Sequence, residues 1–350
     1  MGLLDSLIYR EDVSRVASLN LAWDRLAGSR LVLSGASGMI GKFLVDVLMS
    51  RNLNQGLDCT IYAIARGRTR MSERFGDYAG HPNLVIVPHD VSTGPIDLDA
   101  ADYVIHAAAN THPVAYAQDP IGTIMTNVQG TFNLLELAAR TQARRALFLS
   151  TVEIYGDNRG GESFIESDMG YIDCNTLRAG YPESKRTGEA LCQAFIQHHG
   201  LDIVIPRLPR VFGPAIKADD TKALSQFLFN AVAGKDIVLK SAGDQFFSYC
   251  HLVDAVSAIL TCLFDGACGQ AYNVADPGCN IKLKDLAQLV ASAVGRQVIF
   301  NLPGVVEQRG FSAATIAVMN GTKLSKLGWT LLYDLETGIR RTIAVLNDQR

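Results

Sequence analysis

The chain has 350 residues, of which 48% are hydrophobic and 19% charged, enough for one large or two ordinary globular domains with a sizeable core. Its net charge of -3 gives no electrostatic reason to expect nucleic acid or an anionic membrane as a partner. We therefore expect a small-molecule partner.

Cysteine spacing and apolar runs bear on metal binding and on cellular location. The seven cysteines form no CxxC pair and no Cys/His cluster, so the sequence predicts neither a disulfide framework nor a metal site. No apolar run reaches the ~20 residues of a membrane span, and the first residues lack the pattern of a signal peptide. Gly2 and Ser6 fit the short myristoylation pattern MGxxxS. We expect a cytoplasmic protein that does not bind membranes.

Residues 1–29 precede the first predicted strand and contain spaced apolar residues. This spacing predicts an N-terminal extension of one or two amphipathic helices, and the simplest position for them is the edge of a sheet.

The stretch 30–41 is an apolar run that breaks into three glycines and continues into a helix-periodic segment at 42–49. It predicts a strand, a turn and a helix. Gly35 permits the tight turn, and Gly38 lets the backbone approach a pyrophosphate. Gly41 lets the helix pack on the strand, with the helix N-terminus facing the phosphates.

The second predicted strand, 59–65, ends where the adenosine ribose of a dinucleotide would lie. In an NAD-selective site an acidic residue there accepts hydrogen bonds from the 2'-hydroxyl. This chain has Arg66 in that region, followed by Arg68 and Arg70. A guanidinium suits a 2'-phosphate, so the sequence favours NADP over NAD, although three arginines in an exposed loop give the same pattern.

Two later stretches carry candidate chemistry. The strand-like run at 146–156 brings Thr151 and Glu153 to its carboxyl end, where open parallel sheets bind ligands. Tyr181 and Lys185 are spaced as YxxxK, which puts both side chains on one face of a helix. An adjacent ammonium favours the phenolate, so we expect Lys185 to lower the pKa of Tyr181 and Tyr181 to take a proton from an alcohol.

The remaining pattern predicts an α/β fold, a Rossmann-type doubly wound parallel sheet with a smaller C-terminal substrate domain. The acidic, glycine-rich segment between 157 and 180 is a candidate substrate loop. Helical and strand-like segments alternate after 214. The predicted division is a dinucleotide-binding domain at 30–214 with a late strand near 271–275, and a mainly substrate-binding part at 215–350.

Five motifs together resemble those of the extended short-chain dehydrogenases/reductases. Within that family the resemblance is to nucleotide-sugar epimerases, dehydratases and decarboxylases. The five motifs are GxxGxxG at 35–41, HAAA at 106–109, STVEIYG at 150–156, YxxxK at 181–185 and RLPRVFGP at 207–214. The resemblance implies that Thr151 and Tyr181 hold a sugar hydroxyl, which is oxidised to a transient keto sugar, with Lys185 beside them. It also implies a homodimer through the helix near 127–136.

The same resemblance implies the cofactor-binding residues, with Asp90 and Val91 at the adenine. They are Gly35, Ser37, Gly38, Met39, Ile40, Gly41, Arg66, Asp90, Val91, Ala107, Ala109, Tyr181, Lys185 and Val211.

The reaction that follows oxidation depends on residues 152 and 153. Dehydratases of the family place an acid at the position of Val152, which cannot protonate a departing hydroxyl. UDP-glucuronate decarboxylases keep the threonine and glutamate that flank that position, and the stretch 113–116 resembles their loop for the substrate carboxylate, which places Tyr116 at the sugar. A 4-keto uronic acid is a β-keto acid, so it loses carbon dioxide without such an acid. Decarboxylation is therefore compatible with Val152 and Glu153.

One departure from the decarboxylases is Phe247, which stands where they carry an arginine. Arg178 or Arg210 is the candidate for the missing positive charge, and both are candidate substrate-binding residues, although each could be structural. A nucleotide-sugar 4-epimerase or a dehydratase remains the alternative, as does a dinucleotide-binding sensor without turnover. The presence of Thr151, Tyr181 and Lys185 together argues against the sensor.

Overall fold

The computed structural model describes residues 2–109, 118–157, 161–217, 220–301 and 315–350. Strands and helices alternate along most of these ranges. The strands are β1 (Arg30–Ser34), β2 (Thr60–Ala65), β3 (Leu84–Pro88), β4 (Tyr103–His106), β5 (Arg145–Phe148), β6 (Ser150–Thr151), β7 (Ile203–Leu208), β8 (Arg210–Phe212), β9 (Ile237–Leu239), β10 (Phe246–His251), β11 (Ala271–Asn273), β12 (Asn280–Lys282), β13 (Val298–Phe300) and β14 (Ile316–Ala317).

Helices follow most strands of the first half of the chain. The α-helices are α1 (Leu7–Ala17), α2 (Met39–Gln55), α3 (Arg68–Arg74), α4 (Pro120–Arg140), α5 (Gly180–His199), α6 (Ala223–Val232), α7 (Leu252–Asp265), α8 (Leu283–Ala293), α9 (Thr322–Ser325) and α10 (Leu335–Asp348). Short 3₁₀ helices cover Leu3–Asp5, Trp23–Leu26, Gly76–Tyr78, Val152–Tyr155, Leu177–Ala179 and Pro277–Cys279.

The main sheet of the described chain is parallel, with seven strands in the order β11-β7-β5-β4-β1-β2-β3 and the short β6 paired to β7. Its strands are short apolar runs, as expected for a sheet covered on both faces. Helices α1, α2 and α7 cover one face, while α4 and α5 cover the other. The strand order changes direction between β1 and β4, which is where such sheets bind ligands. The predicted α/β fold is confirmed.

A smaller, mixed sheet lies in the C-terminal part of the chain. Strand β10 pairs with β12 antiparallel and with β14 and β8 parallel. Its apolar face packs with residues of α6, α8 and α10 in a core separate from those of the main sheet. Strand β11 leaves this part and joins the edge of the main sheet beside β7, at the position expected for the late strand.

The N-terminal extension forms α1 and two 3₁₀ turns, but the expectation that it packs on the edge of the sheet was wrong. Helix α1 packs instead on α2, α7 and α10, which are helices that cover the sheet. Its buried residues include Tyr9, Val13 and Val16, and the Tyr9 ring meets Phe43 of α2 edge-on at a centroid distance of 5.6 Å. These side chains form a stripe that needs an apolar partner surface, which α2 supplies.

The strand-like run at 146–156 divides into β5, β6 and a 3₁₀ turn. The turn begins at Thr151, whose hydroxyl accepts a hydrogen bond from the backbone N–H of Glu153 at 3.3 Å. This local cap ends the strand and turns residue 153 toward the carboxyl edge of the sheet. Among the described residues, the structure has no helix long and apolar enough to span a bilayer.

Candidate active site

A cavity of about 900 Å³ lies at the carboxyl edge of the main sheet and extends to the smaller sheet. Residues of both parts of the chain line it, so it contacts the glycine turn and the C-terminal part. The candidate residues that line it are Gly35, Gly38, Met39, Ile40, Gly41, Ala107, Ala109, Thr151, Glu153, Arg178, Tyr181, Lys185, Arg210 and Val211. The structure thus brings together residues that are up to 176 positions apart in the sequence, from Gly35 to Val211.

Tyr181 is the second residue of α5, and only 6% of it is exposed. Its phenol shares a hydrogen bond with the hydroxyl of Thr151. Burial raises the pKa of Tyr181, the nearby Glu153 carboxylate raises it further, and the hydrogen bond from Thr151 and the charge of Arg178 lower it. Thr151 and Arg178 therefore favour the phenolate, whereas burial and Glu153 favour the neutral phenol.

Lys185 lies one helical turn after Tyr181 and is also buried. Its ammonium donates to the carbonyl of Leu149 at 2.8 Å and lies 4.6 Å from the centroid of the Phe148 ring. Burial lowers its pKa to about 8, and Glu189 opposes that shift. The expected lowering of the Tyr181 pKa by Lys185 was wrong for this structure, because burial and Glu153 dominate at the phenol.

Glu153 and Arg178 form an ion pair in the wall of the cavity. Nη2 of Arg178, which lies in the 3₁₀ turn before α5, is 2.8 Å from each carboxylate oxygen of Glu153. The two side chains are 31% and 26% exposed, for arginine and glutamate respectively. A carboxylate and a cation therefore stand together next to Tyr181.

The glycine turn has the shape that a dinucleotide pyrophosphate needs. Gly35 has φ +71°, and a Cβ there would lie 2.6 Å from the carbonyl carbon and oxygen of Ala107. A Cβ at Gly41 would lie 2.4 Å from the carbonyl oxygen of Gly35, so α2 packs directly on the turn. Gly38 is the N-cap of α2 and lines the cavity. Helix N-termini of this kind bind anions through backbone N–H groups, and these residues fit the phosphates.

A smaller cavity of about 150 Å³ adjoins the turn at the ends of β2 and β3. Ser37, Arg66, Asp90 and Val91 line it, as the resemblance implies for the adenosine half of a dinucleotide. The amide of Asn133 in α4 donates to the Val91 carbonyl at 2.7 Å and fixes this loop. Nη1 of Arg66 is 4.0 Å from Oδ2 of Asp90, and the arginine side chain is 67% exposed.

Arg210 and Phe247 meet on the opposite wall of the main cavity. Arg210 lies in β8 next to β10, which carries Phe247, and its guanidinium carbon is 3.4 Å from the centroid of the Phe247 ring. A guanidinium stacks well on an aromatic face. The structure therefore places a positive charge over the phenylalanine.

Tyr116 and the stretch 113–116 lie outside the described residues. The sequence did not predict three lysines that line the cavity, because they lie in polar stretches typical of solvated loops. They are Lys217, Lys222 and Lys240. Glu189 was not predicted either. Glu189 binds both Ser150 and Arg207, and the only sequence signal is its position one turn after Lys185.

The model of the NAD dependent epimerase/dehydratase family matches residues 31–275. UDP-glucuronic acid decarboxylase 3 of Arabidopsis thaliana is 32% identical over 284 residues, which are 80% of this chain and 80% of that protein. UDP-glucuronic acid decarboxylase 1 of Xenopus tropicalis is 29% identical over 317 residues, 90% of this chain and 71% of that protein.

Two solved structures show the same fold. DesIV, a dTDP-glucose 4,6-dehydratase from Streptomyces venezuelae with NAD and TYD bound, is 23% identical with a TM-score of 0.77, over 92% of this chain and 98% of its own. A UDP-glucuronic acid 4-epimerase from Bacillus cereus, in complex with UDP-glucuronic acid and NAD, is 18% identical with a TM-score of 0.76, over 92% of this chain and 100% of its own.

The parallel sheet, the glycine turn and the cluster of Thr151, Tyr181 and Lys185 define a dinucleotide-dependent enzyme. The chain belongs to the NAD-dependent epimerase/dehydratase family, whose members modify sugar nucleotides.

Proposed function

We propose that the protein decarboxylates a UDP-glucuronate-like nucleotide sugar through a transient 4-keto sugar. The observation that carries the proposal is the Glu153–Arg178 ion pair beside Tyr181. A neutral sugar makes no use of a cation at this position, whereas a uronic acid brings a carboxylate to it, so the pair favours a uronic acid as the substrate. The decarboxylases that resemble this chain in sequence support the same choice.

The first step is oxidation of the sugar hydroxyl. Thr151 and Tyr181 hold the alcohol, and Tyr181 takes its proton, with the Thr151 hydrogen bond and the Arg178 charge favouring the phenolate against burial and Glu153. A nicotinamide dinucleotide bound along the glycine turn supplies the hydride acceptor for this step and the hydride donor for the final reduction. Lys185 lies one helical turn from the phenol, and its ammonium donates to the carbonyl of Leu149 at 2.8 Å.

The second step needs no acid for a leaving hydroxyl, which agrees with the buried, apolar Val152. The bond between the carboxylate and the sugar ring breaks in the keto acid, carbon dioxide leaves, and the electron pair passes to the keto oxygen as an enolate. A proton then replaces carbon dioxide on the ring carbon. Glu153 relays that proton, and Tyr181 returns its proton to the alcohol when the ketone is reduced.

Positive charge near the substrate comes from Arg178 and Arg210. Arg210 lies over the ring of Phe247, so we propose that it supplies the charge that decarboxylases carry at the position of the phenylalanine. Lys217, Lys222 and Lys240 line the same cavity and suit the phosphates of a nucleotide sugar. Tyr116 remains a proposed contact to the sugar.

The cofactor proposal is NAD(P). The family is NAD-dependent, and the similar structures with bound cofactor hold NAD, so the preference for NADP that Arg66 suggests in the sequence has no support from them. In this chain Asp90 lies beside the Arg66 guanidinium and competes with a 2'-phosphate for it. Substitution of Arg66 therefore discriminates between the two dinucleotides.

The deciding experiment is incubation with UDP-glucuronate and NAD+, with carbon dioxide and the nucleotide product measured together. We expect carbon dioxide and a nucleotide pentose, and we expect Glu153→Gln to slow release by about 10²- to 10⁴-fold, the usual effect of a positioned acid or base. Binding of UDP-glucuronate to that variant should change far less.

The alternative is a nucleotide-sugar 4-epimerase, which the wide cavity and the Thr151–Tyr181 pair also suit. Appearance of a C4 epimer without carbon dioxide would replace decarboxylation by epimerisation. A protein that binds the dinucleotide and turns over no nucleotide sugar would be a sensor.

We also propose a cytoplasmic homodimer. Helix α4 exposes several apolar side chains, including Ile121 (75% exposed), Met125 (44%) and Phe132 (40%), and it is the helix through which the family resemblance implies a dimer. Light scattering of the purified protein tests this, because a monomer at micromolar concentration would contradict it.

A further inference from the structure

Helix α1 lies against α2, the helix that begins at the glycine turn. Tyr9 of α1 and Asp46 of α2 are both fully buried, and the Tyr9 hydroxyl donates to Oδ2 of Asp46 at 2.6 Å. The N-terminal extension, which precedes the residues matched by the family, therefore donates a hydrogen bond to a buried carboxylate of the cofactor helix.

Asp46 also forms a buried ion pair with Lys42. Nζ of Lys42, one turn nearer the glycine turn, lies 2.6 and 2.8 Å from its two oxygens, and the Tyr78 hydroxyl donates to Oδ1 at 3.0 Å. A buried ion pair is stable only if further hydrogen bonds satisfy its atoms, because desolvation of two charges is costly. The two phenols, from Tyr9 and Tyr78, provide these bonds here.

The first turn of α2 cannot move without moving the phosphate turn. The backbone at Gly41 lies so close to Gly35 and Ala36 that an added Cβ would be 2.4 Å from the Gly35 oxygen and 2.7 Å from the Ala36 Cα. Lys42 follows Gly41 directly. The buried pair and the phosphate turn are therefore neighbours in one tightly packed unit.

The other side of α1 is fixed to the end of the chain. Oδ1 of Asp12 accepts from the Tyr333 hydroxyl at 2.8 Å and from Nε of Arg341 in α10 at 2.7 Å. The Ser6 hydroxyl donates to Oδ2 of Asp348 at 2.6 Å. Helix α1 is thus held between α2 and α10, so the Tyr9 side chain has a fixed support.

We propose that Tyr9 is a positioning residue for the bound dinucleotide, which holds the first turns of α2 and the phosphate turn in place through Asp46 and Lys42. The proposal rests on dinucleotide binding at the glycine turn and not on decarboxylation. Loss of the Tyr9 hydroxyl leaves Asp46 buried with one donor fewer, and the first turns of α2 then shift together with the phosphate turn.

The test compares Tyr9→Phe with Tyr103→Phe in the full-length protein. Tyr103 is also buried, and its hydroxyl donates to the carbonyl of Arg25 in the N-terminal segment at 3.0 Å. It is the first residue of β4 and so lies at the amino-terminal ends of the strands, away from the cavity at their carboxyl ends. Titration calorimetry with NAD+ and hydrogen exchange of the amides at 39–44 are measured, together with the thermal midpoint.

We expect Tyr9→Phe to raise the Kd for NAD+ about tenfold, because binding must then also order the phosphate turn, and to speed exchange at 39–44. Tyr103→Phe should lower the midpoint and leave the Kd unchanged. An unchanged Kd in Tyr9→Phe, with the midpoint lowered as in the control, would overturn the proposal and make α1 a stabilising element alone.

Tyr78→Phe is the second arm, because Tyr78 binds Asp46 from outside α1. Weaker NAD+ binding in this variant is expected, and unchanged binding overturns the role of Asp46 even if Tyr9→Phe fails to fold. Wild-type protein that binds no dinucleotide would refute the cofactor site itself, which is distinct from the absence of carbon dioxide release.

Discussion

The buried ion pair between Glu189 and Arg207 gives a prediction about both stability and catalysis. Glu189 in α5 accepts from the Ser150 hydroxyl at 2.5 Å and from Nε and Nη2 of Arg207 at 3.0 and 2.6 Å. The arginine and glutamate side chains are only 4% and 13% exposed. In Glu189→Gln the remaining side-chain oxygen can still accept from the Ser150 hydroxyl and from Nε of Arg207. The new NH2 group, however, faces Nη2 of Arg207, and because both groups are donors they cannot form a hydrogen bond.

We expect this substitution to lower the free energy of unfolding by about 3 to 5 kcal/mol, because it leaves a buried guanidinium without its counter-charge. The matched control is Glu183→Gln on the same helix, where the carboxylate is 37% exposed and pairs with Arg186 at 3.2 Å. A surface pair of this kind contributes about 0 to 1 kcal/mol. Urea unfolding of both variants measures the difference, and equal losses would refute the assignment of a buried, structural pair.

The same substitution should move the alkaline limit of activity. Burial lowers the pKa of Lys185 to about 8 and Glu189 opposes the shift, so removal of the Glu189 charge lowers that pKa further. Lys185 is charged below its pKa, and activity that needs the ammonium is lost as the pH rises through it. The alkaline limb of kcat should therefore shift to lower pH in Glu189→Gln and stay in place in Glu183→Gln. A limb unmoved in both variants would show that Lys185 does not set it.

Two further predictions concern the candidate site. Tyr181→Phe should abolish oxidation of the sugar while NAD+ binding measured by calorimetry stays nearly unchanged, because only the phenol oxygen is lost; turnover near that of the wild type would remove Tyr181 from its role. Arg66→Ala should weaken NADP+ by about 1 to 3 kcal/mol and leave NAD+ alone if Arg66 binds a 2'-phosphate, whereas an equal loss for both would indicate a structural role.

The parts of the fold that the sequence predicted are those encoded by local pattern. The glycines at 35, 38 and 41 and the Tyr181–Lys185 spacing predicted the turn and the helix face, because each depends on residues within a few positions. The position of α1 was not predictable in the same way. An apolar stripe requires a partner surface but does not choose between a sheet edge and α2, and the α2 side chain that Tyr9 binds, Asp46, lies 37 residues after it.

The pKa of Tyr181 shows a second limit. The YxxxK spacing names Lys185 as the neighbouring charge, yet the charges acting on the phenol in the structure are Glu153 and Arg178. Arg178 reaches Glu153 across 25 positions, through a segment without periodicity. Sequence spacing identifies neighbours on one helix face, whereas the pKa of Tyr181 also depends on charged side chains that loops bring close to it.

The two arginines of the cavity are held in different ways, and the difference bears on the proposed reaction. Arg210 stacks on the Phe247 ring, while Arg178 is paired with Glu153. A uronate carboxylate that reaches Arg178 must share it with Glu153, and two carboxylates at short distance repel each other. Under the proposed reaction, departure of carbon dioxide removes one of these two negative groups. If the substrate is a uronic acid, as we propose, relief of this repulsion favours the loss of carbon dioxide, whereas a neutral sugar creates no such repulsion.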